Sequence, residues 1–389
     1  MTSLQSVPTR VITTLIRGAA ELEHTEHGIL PHRLPAWARA QSPDAQLQMV
    51  ESQPSGVRLA FRTAATSIEL DVRRSRVTYA GLPARPDGII DLMIDGAPFA
   101  QAATAGGHST TVDMATGERS VDEGPVSTAS FAELPVGTKD IELWLPHNET
   151  IQIIELRSDA PVDPATDGGR PVWVHHGSSI SQGSNATRPT GIWPAVASRI
   201  AGVELINLGF GGSSLLDPFI GRVIRDTPAD LISLKLGINL VNTDLMRMRA
   251  FGPAVHGLLD TIREGHPTTP ILVISPIYCG IHEDTPGPGA FDLDALARGE
   301  IRFRATGLPA ESAAGKLTLT SIRRELARLV ADRERADPQL GYLDGLALYG
   351  PTDAEQRPLP DALHPDEATH RLIGERLGPL LARRFAGMP

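Results

Sequence analysis

Val172-Trp173-Val174-His175-His176-Gly177-Ser178-Ser179-Ile180-Ser181 reads as a short, fully buried strand running straight into a turn of small residues. A run this short and apolar, bounded by Gly177, is strand-like rather than helical. The same unit recurs downstream: apolar runs at 203–208, 231–236, 270–277 and 340–343 alternate with segments of helical period. Val255, Leu258, Leu259 and Ile262 share one helix face, as do Ile322, Leu326, Leu329 and Val330, and again Ile373, Leu377, Leu380 and Leu381. Strands separated by helices imply crossover connections, a parallel sheet and helices on both of its faces. The predicted fold class is therefore α/β, with a three-layer α/β/α domain over 171–389. Sheets of this kind bind ligands beyond the carboxyl ends of their strands.

Upstream the period changes. Between residues 56 and 158 apolar residues alternate with charged ones, as at Ile68, Leu70 and Val72 and at Ile141, Leu143 and Leu145. Alternation marks strands with one buried face, and a series of them predicts a β-sandwich. Asp95-Gly96 between two apolar runs is a two-residue hairpin signal, because such turns need positive φ. Prolines at 8, 31, 35, 43 and 54 limit regular structure in the first 55 residues, although 11–16 has the composition of an edge strand. The stretch 158–171, with prolines at 161, 164 and 171, reads as a linker. The predicted domains are 1–160, a sandwich resembling a carbohydrate-binding module in layout, and 171–389, carrying the chemistry.

Composition narrows the function. The 389 residues carry a formal charge of −10, which disfavours nucleic acid and anionic lipid as partners. No run approaches the ~18 apolar residues of a membrane span, and charged residues interrupt the first thirty, so neither a signal peptide nor a membrane role is predicted; the expected location is cytoplasmic. Cys279 is the single cysteine, which excludes an intrachain disulfide and a thiolate-rich metal site. His24, His27 and His32, and the pair His175-His176, lack acidic partners at ligand spacing; no metal and no cofactor are predicted.

Four strand-end segments carry reactive groups. The first, Gly177-Ser178-Ser179-Ile180-Ser181, can expose a hydroxyl at a helix start, where the backbone favours a developing anion. Gly209-Phe210-Gly211-Gly212-Ser213-Ser214 lets backbone N–H groups approach a ligand, and it lacks the third glycine of a dinucleotide fingerprint. Gly237-Ile238-Asn239 adds a side-chain amide, and Asp361-Ala362-Leu363-His364 sets an acid and an imidazole three residues apart. Together they offer a nucleophile, a base, an orienting acid and oxyanion donors. Ser178 and Ser179 both qualify as the nucleophile on position alone, while Ser181 suits a structural hydroxyl.

These four blocks, in this order, resemble the SGNH/GDSL family of serine esterases and acyltransferases. The resemblance covers roughly 172–385. It implies Ser179 as nucleophile, His364 as base and Asp361 as the acid that orients it. It also implies an oxyanion hole from the Ser179 and Gly212 backbone N–H groups and the Asn239 amide. An α/β-hydrolase is disfavoured, since Gly177-Ser178-Ser179-Ile180-Ser181 lacks the second glycine of that elbow. The chain departs from the family at Ser178, where aspartate is usual, at Leu240 after the asparagine, and at Thr369 in place of a glycine. A sandwich ahead of an SGNH domain is similar to a bacterial subgroup that includes an acyltransferase of tetracycline biosynthesis. That layout implies transfer of an acyl group from a coenzyme A thioester, as co-substrate, to a hydroxyl of a small molecule such as a polyketide. The alternatives are a carbohydrate or small-ester deacetylase on the same fold, and a carbohydrate-binding protein without turnover. The partners implied are a small-molecule acyl donor and a hydroxylated acceptor. The Pro- and Gly-rich insertion 280–315 is longer than ordinary connections and suits a cover over the sheet's carboxyl edge.

Overall fold

The computed structural model describes residues 3–113, 116–165 and 169–386. They form two compact units. The first comprises the chain up to Ala36, Gln48–Gly169 and Thr187–Thr190; the second comprises Trp37–Leu47, Arg170–Ala186 and everything from Gly191. Two short segments thus group with the unit other than the one their position in the chain suggests. In the first unit, Thr190 donates its N–H (3.0 Å) and its hydroxyl (2.5 Å) to the buried carboxylate of Asp91.

The first unit is a sandwich of an eight-stranded and a six-stranded sheet. Ile68, Leu70 and Val72 from one sheet and Leu59, Ile141 and Leu143 from the other are fully buried and belong to a single apolar cluster. The intervening positions face outward, where Arg157 bridges Glu69 (2.8 Å) and Asp71 (2.6 Å). Asp95 (φ 50°) and Gly96 (φ 78°) make the tight turn between antiparallel strands Ile89–Ile94 and Ala97–Ala103. The expectation of an edge strand at 11–16 is corrected: Thr9–Leu15 is helical, and only Ile16–Arg17 extends into the six-stranded sheet. Ile12 and Leu15, three apart, are both buried on one helix face, and that burial outweighs the β preference of the Val-Ile-Thr-Thr run. Within the stretch read as linker, Val162–Pro164 pairs with Arg58–Thr63, and residues 166–168 lie outside the described residues.

The second unit holds β1 (Val172–Gly177), β2 (Glu204–Gly209), β3 (Leu231–Lys235), β4 (Ile271–Ile274) and, after an insertion, β7 (Leu340–Leu343). All are parallel, in the order β2-β1-β3-β4-β7. Every residue of β3 and β4 is buried, as expected of a sheet covered on both faces. Helices follow the strands: α1 (Ser179–Gln182), α2 (Trp193–Ala201), α3 (Pro218–Asp226), α4 (Ile238–Asn242), α5 (Met248–Gly265), α6 (Leu319–Arg333) and α7 (Glu367–Ala386). Two glycines admit α7 against α2, since a Cβ at Gly374 or Gly378 would fall 2.6 Å from the Cβ of Val196 or Ile200. The insertion forms a hairpin of β5 (Gly289–Phe291) and β6 (Phe303–Ala305). No helix among the described residues is long and apolar enough to cross a membrane.

Candidate active site

β1 ends at Gly177, and Ser178 turns the chain into α1. Ser178 has extended geometry (φ −87°, ψ −163°), and its hydroxyl accepts from the Ile180 N–H at 3.4 Å, so it caps the helix. Gly183, at φ 115°, closes α1 after one turn. Ser179, the first helical residue, has its Oγ 3.0 Å from Nε2 of His364. On the other side of the ring, Nδ1 lies 2.8 Å from Oδ2 of Asp361. The remaining oxygen, Oδ1, accepts the backbone N–H groups of Leu363 (2.9 Å) and His364 (2.6 Å), which folds Asp-x-x-His into a local turn. That turn places the acid beneath its own histidine. Asn185 donates its side-chain amide to Oδ2 at 3.0 Å.

Both Asp361 and His364 are 8 % exposed. Burial pushes the Asp361 carboxyl up, but the His364 ring and the two backbone donors outweigh burial and hold it down at about 2. An ionised Asp361 requires the proton of the neutral imidazole on Nδ1, leaving Nε2 to accept from the Ser179 hydroxyl. This arrangement can activate a serine for attack on a carbonyl.

The loops after β2 and β3 are tied to this centre and to each other. Asn207 accepts the Gly209 N–H (3.0 Å) and donates to the Ser181 carbonyl (3.0 Å). Gln182 accepts the Gly211 N–H at 2.7 Å, and Gln46 donates to the Gly211 carbonyl at 2.9 Å. Gly212 has φ 75°, a conformation that favours glycine. The Asn239 side-chain carbonyl accepts the Ser214 N–H at 3.1 Å, which fixes the orientation of its amide group. Gly237 (φ 125°) allows the close approach there, because a Cβ would meet Ile322 Cγ2 at 2.8 Å.

Of the positions singled out from sequence, Ser179, His364 and Asp361 stand in one hydrogen-bonded chain, while Gly212 and Asn239 occupy the adjoining strand-end loops, joined through Ser214. Ser181 lies against Nε2 of the buried His175 at 2.8 Å, and the other ring nitrogen meets Ser233 at 2.7 Å. His176 pairs with the Leu208 carbonyl (2.8 Å) and Ser214 (3.1 Å), and burial lowers its pKa to about 4. His32 pairs with Glu51 at 2.7 Å and Glu23 at 3.0 Å. Among the described residues no three His, Cys, Asp or Glu side chains are placed to hold a metal ion. Trp193 is fully buried, edge-on to His175 at 4.6 Å, and is a core residue. Cys279 is buried beside the Ala362 carbonyl, 3.4 Å away, and burial pushes its thiol up to about 12. A cavity of about 430 Å³ lined by Met248, Asp284, Ser312, Lys316 and Arg324, among others, includes none of the Ser179–His364–Asp361 residues.

Sequence reasoning missed Asn185, Gln182, Gln46 and Phe303. Asn185 has a detectable signal: it takes φ 66°, and asparagine is the non-glycine residue that best tolerates that region. Gln46 has none, lying 165 residues from its partner. Phe303, on β6, sets its ring edge-on to the His364 ring with centroids 5.6 Å apart.

Residues 170–280 match the family described as GDSL-like Lipase/Acylhydrolase, and residues 14–153 match the N-terminal domain of SsfX3. The chain is an enzyme of the SGNH/GDSL type, an acyltransferase or an ester hydrolase. Among solved structures it is similar to the salicylyl-acyltransferase SsfX3 from a tetracycline biosynthetic pathway, with 26% identity, TM-score 0.78, and coverage of 96% of this chain and 95% of that one. A GDSL-like lipase from Bacteroides ovatus shares the fold at 19% identity and TM-score 0.69, covering 99% and 98% of the two chains. A family two carbohydrate esterase from Clostridium thermocellum shares it at 14% identity and TM-score 0.56, covering 86% and 94%. No curated protein matches the sequence. In this GDSL-type enzyme, Ser178 stands where the family resemblance leads one to expect aspartate, and it serves as the cap of α1.

Proposed function

We propose that this enzyme transfers an acyl group from a coenzyme A thioester to a hydroxyl of a small molecule such as a polyketide, through an acyl-serine at Ser179. The observation that carries the reading is the chain of contacts from Ser179 Oγ through His364 to Asp361, at 3.0 and 2.8 Å. In the first half-reaction His364 Nε2 takes the Ser179 proton as Oγ bonds to the thioester carbon. The carbonyl electrons move to oxygen, where the N–H groups of Ser179 and Gly212 and the amide of Asn239 stabilise the charge; each such donor is typically worth ~2.7 to 4 kcal/mol of barrier. Collapse breaks the C–S bond, and the proton on Nε2 leaves with the thiol. In the second half-reaction the acceptor hydroxyl gives its proton to Nε2 and bonds to the acyl carbon. Ser179 then departs and recovers that proton. Asp361 stays ionised throughout, holding the ring and stabilising the imidazolium.

Transfer rather than hydrolysis is favoured by the 26% identity to the salicylyl-acyltransferase across 96% of this chain. The first unit then contributes acceptor binding and no reacting group, and a cytoplasmic location suits a coenzyme A donor. The second reading, an ester hydrolase acting on a carbohydrate or small ester, draws on the acylhydrolase description of residues 170–280. Intact-mass detection of an acyl adduct on Ser179 with acyl-CoA donors, followed by acceptors that discharge it, separates the readings. Rapid hydrolysis of simple esters with no acceptor altering the product ratio would establish the hydrolase.

A further inference from the structure

The acceptor in acyl transfer has to bring its hydroxyl within about 2.6–3.2 Å of His364 Nε2. Its adjoining carbons therefore run past whatever flanks the imidazole. Asp361 occupies the Nδ1 side and Ser179 the Nε2 side. Phe303 packs on the ring, with centroids 5.6 Å apart and planes at 78°. Phe291 stacks on Phe303 at 5.0 Å and 28°. The two are cross-strand partners in the β5–β6 hairpin, and each remains partly exposed. The hairpin is fastened to the site, because the Phe303 N–H donates to the Asp361 backbone carbonyl at 2.9 Å. The outcome is a two-ring apolar strip that begins at the catalytic histidine and is held in register with it.

We propose that Phe291 and Phe303 form an acceptor platform that selects hydroxyl compounds with a flat aromatic ring next to the reacting hydroxyl. The inference rests on the assignment of Ser179 and His364 above and names the acceptor class for that site. Offset or edge-on packing on phenyl rings rewards a planar π-face over a puckered saturated one of the same skeleton. The carbons that adjoin the acceptor hydroxyl are brought to the strip by the need to hold that hydroxyl at Nε2. Selection therefore acts on the acceptor. Neither Phe303 nor Phe291 takes part in proton transfer, so both are specificity-determining residues.

The experiment forms the acyl-enzyme with a small activated acetyl ester and follows its discharge by intact mass. Two primary alcohols with the same ring skeleton serve as acceptors: 2-naphthylmethanol, which is flat, and decahydro-2-naphthylmethanol, which is puckered. In the native enzyme the flat alcohol should reach half-saturation at roughly tenfold lower concentration, the scale of one to two aromatic contacts. Phe303→Leu and Phe291→Leu should bring the ratio toward one, and Phe303→Trp should retain it. Thermal melting checks that each variant folds, and the ratio within one variant cancels any change in its acylation rate. Equal half-saturation in the native enzyme, or a ratio unmoved by both leucine variants, overturns the platform while leaving the acyl-serine mechanism intact. Failure to form any acyl-enzyme overturns both.

Discussion

Asn185 donates its side-chain amide to the Asp361 oxygen that also receives the His364 ring, at 3.0 Å. The carboxylate is thereby held by Asn185 as well as by its own turn. Asn185→Ala should lower kcat about fivefold with a smaller change in KM, since a partly exposed hydrogen bond to a charged group is worth about 1 kcal/mol. Unchanged kcat would reduce Asn185 to a loop residue.

The adjacent serines separate by the kind of damage each causes. Ser178→Ala removes a helix cap, so it should lower stability by about 1 kcal/mol and still permit labelling by a fluorophosphonate. Ser179→Ala should fold normally and refuse the label. Labelling of the Ser179 variant at Ser178, seen by peptide mass, would reverse the assignment.

Much of this candidate site could be read from the chain because each candidate group sits at a local discontinuity. Ser179 follows a strand-ending glycine, Gly212 lies in a glycine-rich loop, and Asp361 and His364 are joined by a turn that their own spacing creates. The parallel sheet was legible for the same reason, since its strands are continuous apolar runs between helical periods. What could not be read depends on tertiary packing. The Thr9–Leu15 helix takes its stability from burying Ile12 and Leu15, information absent from local propensity. Gln46 reaches Gly211 only because the segment Trp37–Leu47 groups with the second unit. Phe303 lies in an insertion whose placement against His364 leaves no periodic trace.

Acid stability should fall in two windows. His175, His176 and His370 are buried, and burial lowers each, His176 and His370 to about 4. A histidine depressed in the folded state binds its proton more readily when unfolded. Its stabilisation is therefore complete above the unfolded value and declines as pH falls from about 6.5 towards about 4. Asp361 follows the carboxylate pattern: its contribution, roughly 2 kcal/mol, is present above the unfolded value near 3.8 and is lost as pH falls to about 2. Urea midpoints measured from pH 7 to 2 should show both declines. His370→Gln should flatten the upper window, Asp361→Asn the lower, and a pH-independent midpoint between 6.5 and 4 would contradict the buried neutral histidines.

The β5–β6 hairpin should govern the partition between acceptor and water. It abuts the face of His364 through Phe303 and binds the Asp361 carbonyl through its backbone. Such contacts should shield Nε2, the atom to which either nucleophile loses its proton. Oriented acceptors can reach effective molarities of ~10⁵ M or more, enough to outcompete water only while the orienting surface is in place. Replacing residues 289–305 with a short glycine linker should therefore raise the hydrolysed fraction of a preformed acyl-enzyme and reduce acylated product at the same acceptor concentration. The ratio of the two products is the measurement, because it is insensitive to how much acyl-enzyme the variant makes. If the linker variant preserves that ratio, the hairpin does not shield the intermediate, and water exclusion has to be sought elsewhere in the second unit, starting with the Gly211–Gly212 loop that Gln46 and Gln182 hold in place.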